Sequence, residues 1–165
     1  MRLEGSMFQV GDKIVHPMHG AGVIDSITMR RINGVDREYY ELKLSAGGML
    51  VMVPTDHCEE IGVRPVMTQA EVDRILQALP EIEVEVDSNW NRRYRENMVR
   101  LKSGDLIEVA RVMKGLLQRD EVKGLSTGER KMLSSARQIL VSEIVMAEGA
   151  EYEEVERRID LALTQ

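Results

Sequence analysis

The sequence contains few cysteines, few aromatic side chains and no long apolar run. Cys58 is the one cysteine among 165 residues, which excludes an intramolecular disulfide and favours a reducing compartment. No segment approaches the ~20 apolar residues that a membrane-spanning helix requires, and the first residues lack the apolar core of a secretion signal. We therefore expect a cytoplasmic protein without membrane contact, in which residues 1–7 form an extension outside the fold.

Residues able to catalyse a reaction or hold a metal ion are also scarce. His16, His19, His57 and Cys58 are of types that bind zinc, but the last two are adjacent, which is an awkward geometry for two ligands of one ion. Neither a phosphate-binding lysine motif nor a dinucleotide glycine motif is present. We expect no enzymatic activity, no metal and no cofactor. A metal enzyme built on the three histidines is a minor alternative.

The acidic net charge of −6 conceals an uneven distribution of charge along the chain. Basic and acidic residues number 8 and 15 in residues 1–87, 12 and 6 in residues 88–137, and 2 and 7 in residues 138–165. This pattern predicts that a polyanion contacts the central segment alone. The alternative interpretation is that the charges belong to solvated helix faces.

The first part of the chain is typical of short β-strands. β-branched residues recur between turn signals, and Asn33-Gly34 predicts a hairpin because both residues tolerate positive φ. Strands are predicted at residues 13–16, 22–29, 38–44 and 49–53. So many strands in under 60 residues predict a small closed antiparallel barrel of the Tudor or SH3 type.

The rest of the chain has helical periodicity. Helix starts are indicated by capping patterns at Thr68, Asp105 and Ser126, each followed three residues later by glutamate. Helices are predicted after Thr68 and at 88–102, 106–122, 127–147 and 151–163. The fold class is therefore α+β with two domains: a barrel domain in residues 1–66, the first helix and a linker in residues 67–87, and an all-α helical bundle in residues 88–165.

The segment 88–102 combines the one tryptophan with a cluster of arginines. Trp90 shares helical spacing with later apolar residues, which is typical of a core position. It also lies on the first turn after the expected N-cap Ser88, among arginines that cannot be buried unpaired. An aromatic side chain among cations suits nucleic acid, because it stacks or intercalates while the cations neutralise phosphates. A second basic cluster surrounds the loop 123–128, which ends at a helix N-terminus.

Several motifs in this order are typical of one family. They are FQVGD (8–12), HPMHG (16–20), NWNRRY (89–94) and GLSTGERKML (124–133). With them, nearly the whole chain resembles the CarD/CdnL family of bacterial transcription regulators. The resemblance implies a Tudor-like domain that binds the β subunit of RNA polymerase and a helical domain that contacts promoter DNA, so that the open promoter complex is stabilised.

The resemblance also implies site residues. Trp90 would insert at the minor groove on the upstream edge of the transcription bubble, with little sequence specificity, while basic residues hold the DNA backbone: Arg92, Arg93, Arg95, Arg119, Arg130 and Lys131. The polymerase-binding positions would be Arg30 and Met52, and at Met52 an apolar residue stands where the family has a basic one. We expect a monomer associated with the nucleoid through RNA polymerase. The main alternative is a protein–protein adaptor in which Trp90 is a core or interface residue.

Overall fold

The structure, a computed structural model, describes residues 8–45, 47–85 and 88–164. The predicted extension 1–7 lies outside the described residues, as do Val86 and Asp87, the last two residues of the predicted linker. The described chain forms an antiparallel sheet followed by a helical bundle. The strands are β1 (Lys13–His16), β2 (Gly20–Ile32), β3 (Val35–Leu44), β4 (Leu50–Pro54) and β5 (Arg64–Pro65); the helices are α1 (Cys58–Ile61), α2 (Gln69–Ala78), α3 (Trp90–Lys102), α4 (Leu106–Lys123), α5 (Thr127–Glu148) and α6 (Tyr152–Leu163).

The sheet has the strand order β4-β3-β2-β1-β5 and is dominated by the long β2–β3 hairpin. Its turn is the predicted Asn33-Gly34, where both residues have positive φ, 54° and 77°. A register shift between Ile24 and Ser26 marks a bulge that bends β2. The antiparallel sheet and the hairpin are thus confirmed.

The predicted closure into a barrel is not confirmed. Among the described residues the sheet is open, with β4 at one edge and β5 at the other. Closure requires paired edge strands, whereas β5 contributes two residues and uses them to pair with Ile14 and Val15. Neither β5 nor α1 is predicted from the sequence, since elements of two and four residues carry no measurable periodicity.

Each part of the fold has an apolar core of its own. In the sheet, Tyr40 is completely buried; its hydroxyl accepts a hydrogen bond from the Phe8 amide at 2.9 Å, and its ring meets that of Phe8 edge to face. The second core lies among α2 to α6 and includes Met67 and Val72. The segment that follows the sheet therefore packs with the helices.

Local capping chemistry determines where the helices begin. Thr68 and Ser126 each form a complete capping box, with Glu71 and Glu129 respectively, as the sequence predicts. Between α2 and α3 lies a 3-10 turn at Leu79–Glu81, and backbone carbonyls of this turn face α4. The buried Lys114 ammonium donates hydrogen bonds to the carbonyls of Leu79, Pro80 and Ile82, so this connection is bound firmly to α4. No described helix is both long and apolar enough to cross a membrane.

Candidate functional site

The tryptophan lies at the start of α3, where its side chain projects from the bundle. The N-cap is Asn89 rather than the predicted Ser88: the Asn89 side chain accepts a hydrogen bond from the Arg92 amide at 2.9 Å. Trp90 is 43% exposed and stacks on Tyr94, with ring centroids 5.1 Å apart and planes inclined by 19°. Tyr94 itself packs against the helical core. The core alternative for Trp90 therefore does not hold; its ring is presented to solvent on an aromatic support.

The arginines around Trp90 fall into two groups. Arg92 and Arg95 are exposed. The Arg93 side chain is only 14% exposed, and its guanidinium binds a Glu129 carboxylate oxygen at 3.4 Å. Arg119 approaches the same oxygen at 3.3 Å. Arg93 and Arg119, both predicted to contact DNA, therefore pair with the buried Glu129 carboxylate.

Glu129 is the centre of this network and was not singled out as a site residue from the sequence. It is 4% exposed and also accepts the Ser126 backbone amide, closing the capping box of α5. Burial alone would raise the pKa of Glu129, but the hydrogen bonds from Ser126 and the charges of Arg119 and Arg93 outweigh it and hold the pKa below the usual value. Glu129 therefore stays ionised and ties α3, α4 and α5 together.

The first turns of α5 bring the second basic cluster beside the first. A methyl group on Gly128 would lie 3.5 Å from the Tyr94 ring, so this end of α5 lies against the aromatic support of Trp90. Arg130 and Lys131 follow directly and are exposed. We call Trp90 together with the exposed cations Arg92, Arg95, Arg130 and Lys131 of these two helix starts the tryptophan face.

A cleft of about 310 Å³ between α3 and α4 lies behind this face and is also lined by arginines. Arg93 and Arg119 form one wall and are bound to Glu129. Arg100 and Arg111 are paired with Glu108 at 3.2 and 3.5 Å. Because carboxylates of the bundle already pair with these four arginines, we do not include them in the tryptophan face.

The two predicted polymerase-binding residues lie together on one face of the sheet. Met52 on β4 stands opposite Glu41 on β3, and the Arg30 guanidinium on β2 reaches the same Glu41 carboxylate at 3.4 Å. The Ser26 hydroxyl donates a further hydrogen bond to Glu41 at 2.8 Å. The hydrogen bond from Ser26 is the main reason why the pKa of Glu41 lies below its usual value. Arg30 lowers this pKa further, whereas burial acts in the opposite direction. Arg30 and Met52 are both exposed, so the face presents a cation and a thioether around a fixed carboxylate.

The three histidines make local contacts. The rings of His16 and His19 are 4.6 Å apart, and His16 Nδ1 accepts a hydrogen bond from the Met18 amide at 3.1 Å. Burial, and secondarily the neighbouring His19, lower the pKa of His16 to about 4. His57 pairs with Glu60 instead. Within residues 8–45, 47–85 and 88–164, no three His, Cys, Asp or Glu side chains are grouped so that they could hold a metal.

Comparison with known proteins accounts for both halves of the chain. Residues 8–67 match the model of the CarD-like/TRCF RID domain, and residues 74–160 match the model of the CarD C-terminal domain. A Bacillus subtilis (strain 168) protein named "Putative transcription factor YdeB" is 34% identical over 143 residues, which cover 87% of this chain and 94% of that protein. The chain belongs to the CarD family.

CarD family membership connects the two parts of the chain with transcription. The family supports a role in transcription, and its N-terminal domain type indicates interaction with RNA polymerase in general. Transcription factors of this family are generally non-enzymatic regulators. Arg30 and Met52 fall within the first matched region, and Trp90 with its basic neighbours falls within the second.

Proposed function

We propose that this CarD family protein stabilises the open promoter complex. In this proposal the sheet domain, residues 1–66, binds the β subunit of RNA polymerase, and the helical domain, residues 88–165, contacts promoter DNA at the upstream edge of the bubble. The observation that carries the proposal is the exposed Trp90 ring, stacked on Tyr94 and surrounded by exposed cations.

The shape of the tryptophan face suits a junction between duplex and melted DNA. An apolar wedge that enters an intact duplex must unstack a base step at a cost of a few kcal/mol. At the bubble edge that step is already open, so the ring of Trp90 inserts without that cost. Arg92, Arg95, Arg130 and Lys131 then neutralise backbone phosphates, a contact with little sequence preference.

Arg93 and Arg119 act differently from these four residues. Their guanidinium groups hold Glu129, so in our proposal they fix the orientation of α3 and α5 and place the exposed cations. This revises the expectation that all six basic residues contact DNA directly. Loss of either arginine should disturb the tryptophan face through its geometry.

Stabilisation of the open complex follows from differential affinity. A ligand shifts an equilibrium only by the difference between its affinities for the two states. Trp90 supplies that difference, because it binds the melted junction and is resisted by closed duplex. The sheet domain supplies proximity: binding at Arg30 and Met52 raises the effective concentration of the helical domain at the promoter.

Replacement of Trp90 tests the proposal. We expect Trp90→Ala to fold normally, since the ring is 43% exposed, and to shorten the lifetime of open complexes formed by the cognate RNA polymerase. The matched control is Trp90→Phe, which keeps a stacking ring and should retain part of the effect. Lifetimes are measured by competitor challenge on one promoter. A folded Trp90→Ala protein that sustains the normal lifetime would sink the proposal.

The adaptor alternative predicts a different optical result. If Trp90 contacts DNA, its fluorescence should change on addition of forked DNA and should change little with closed duplex of the same sequence. A protein–protein adaptor should show no response to either DNA while still binding RNA polymerase.

A further inference from the structure

The sheet and the helical bundle meet at a polar contact that we call the joint. Gly20, at the start of β2, lies so close to α5 that a methyl group there would be 2.6 Å from Ser142 Oγ. The Ala21 amide donates to that hydroxyl at 3.0 Å. The Gln138 side chain donates to the His19 carbonyl at 3.2 Å. Backbone groups of the sheet are thus bonded directly to side chains of α5.

A buried carboxylate forms the second part of the joint. Glu143 on α5 is completely buried, and each of its oxygens accepts a hydrogen bond from the Arg64 guanidinium at 2.6 Å. One of these oxygens also accepts the Met67 amide at 3.0 Å. Arg64 belongs to β5 and is therefore fixed to the sheet through β1. Separation of the two parts would break these charge-assisted hydrogen bonds, which are stronger than those between neutral groups.

We infer that the joint holds the sheet and the bundle as one rigid body and that Arg64, Ser142 and Glu143 are positioning residues. They fix where Trp90 stands relative to Arg30 and Met52. A flexible connection would raise only the local concentration of the helical domain. A rigid one also sets its orientation, so that the ring meets the bubble edge without a further loss of conformational freedom.

A double variant, Arg64→Met with Glu143→Met, removes the ion pair without leaving a buried charge. Such replacements are commonly neutral for stability, and thermal unfolding checks that the protein folds. The matched control is Arg137→Met, which removes the ion pair between Arg137 and Asp160 inside the bundle. A second test variant, Gln138→Ala with Ser142→Ala, loosens the joint without touching the ion pair and replaces the first if that one fails to fold.

The rigid joint is measured as a distance distribution between spin labels at Lys43→Cys on β3 and Glu121→Cys on α4, both exposed. The native thiol does not interfere, because burial and then Asp56 raise the pKa of Cys58 to about 11. We expect one narrow distribution in the parent and in Arg137→Met, and a broad one in the joint variants. A folded joint variant with the narrow distribution of the parent would overturn the inference.

The positioning role rests on the proposed function and is measured separately. We expect the joint variants to bind RNA polymerase and forked DNA as the parent does. The open-complex lifetime should nevertheless shorten by about tenfold, because the tether still supplies most of its gain in effective concentration. If the distribution broadens and the lifetime stays normal while Trp90→Ala shortens it, the positioning role is wrong. If Trp90→Ala has no effect, the proposed function fails, and the distance distribution still decides the rigidity of the joint.

Discussion

Arg93 and Arg95 lie two positions apart on α3 and have different surroundings. Arg93 is largely buried and bound to Glu129, whereas Arg95 is exposed on the tryptophan face. The sequence identifies both as cations beside a tryptophan and offers no means of separating them. Their difference depends on Glu129, which is 36 positions from Arg93, and a partner at that distance leaves no periodic signal.

We expect replacement by methionine to lower stability at Arg93 and to weaken DNA binding at Arg95. Arg93→Met should lower the free energy of unfolding by about 1–3 kcal/mol, because the buried Glu129 loses a charged partner. Arg95→Met should leave stability within about 0.5 kcal/mol while weakening the binding of forked DNA. Urea unfolding and a DNA titration of each variant test this. Equal stability losses would show that the Arg93–Glu129 pair contributes nothing.

His16 should make stability sensitive to mild acid. Its pKa is about 4 in the fold against an ordinary value of 6.5, so the unfolded chain binds a proton that the folded chain resists between these values. The contribution of neutral His16 to the free energy of unfolding is therefore complete above pH 6.5 and is lost as the pH drops toward 4. We expect His16→Asn to flatten this fall relative to the parent in denaturant unfolding measured across that range.

The control for His16 is His57→Gln, which alters a histidine paired with Glu60 away from the turn. This variant removes a histidine and leaves the turn at His16 intact. If His16→Asn and His57→Gln give the same curve, the turn at His16 is not the acid-sensitive element.

At the scale of elements, prediction succeeded wherever the determining residues are local. The bounds of α4, α5 and α6 agree with the predicted ones to within one residue at each end, because capping residues and glycines lie within a few positions of the helix ends they determine. The N-cap of α3 was placed one residue early, since Ser88 and Asn89 have equal capping chemistry and only the backbone decides between them. Barrel closure is not confirmed, and it depends on strand pairing across the chain, which leaves no local signal in the sequence.

The start of α3 should be sensitive to Asn89. Asn89→Ala removes the side-chain acceptor for the Arg92 amide and should cost about 1 kcal/mol, with fraying confined to the first turn. Because Trp90 occupies that turn, its stacking on Tyr94 should loosen and its fluorescence anisotropy should fall. Asn89→Ser retains a capping oxygen and should restore both. Normal anisotropy in Asn89→Ala would mean that packing on Tyr94 alone orients the ring.

The whole molecule combines an acidic total charge with one small cationic face. Of the 12 basic residues in 88–137, several pair with carboxylates of the bundle itself, namely the buried Glu129 and the partly exposed Glu108 and Asp160. The charge partition read from the sequence therefore locates the correct segment and overstates the number of cations available to DNA. Counting charges cannot distinguish buried from exposed side chains.

The salt dependence of DNA binding follows from the exposed cations. With four of them on the tryptophan face, the logarithm of the affinity for free duplex should fall with the logarithm of salt concentration with a slope of about −3.6, since each neutralised phosphate contributes about 0.9. Affinity should be weak because so few phosphates are met. Titrations at several salt concentrations measure the slope, and a value near that for all 12 basic residues would contradict the internal pairing.

The bidentate contact between Arg64 and Glu143 also bears on how this fold can change over generations. The two residues are 79 positions apart and lie in different family domains. Loss of Arg64 would leave the charge of the fully buried Glu143 without its partner, whereas loss of Glu143 would leave a partly exposed arginine without its carboxylate. We expect the pair to covary among relatives, and a chimera that exchanges sheets between two of them to require residues 64 and 143 from the same parent.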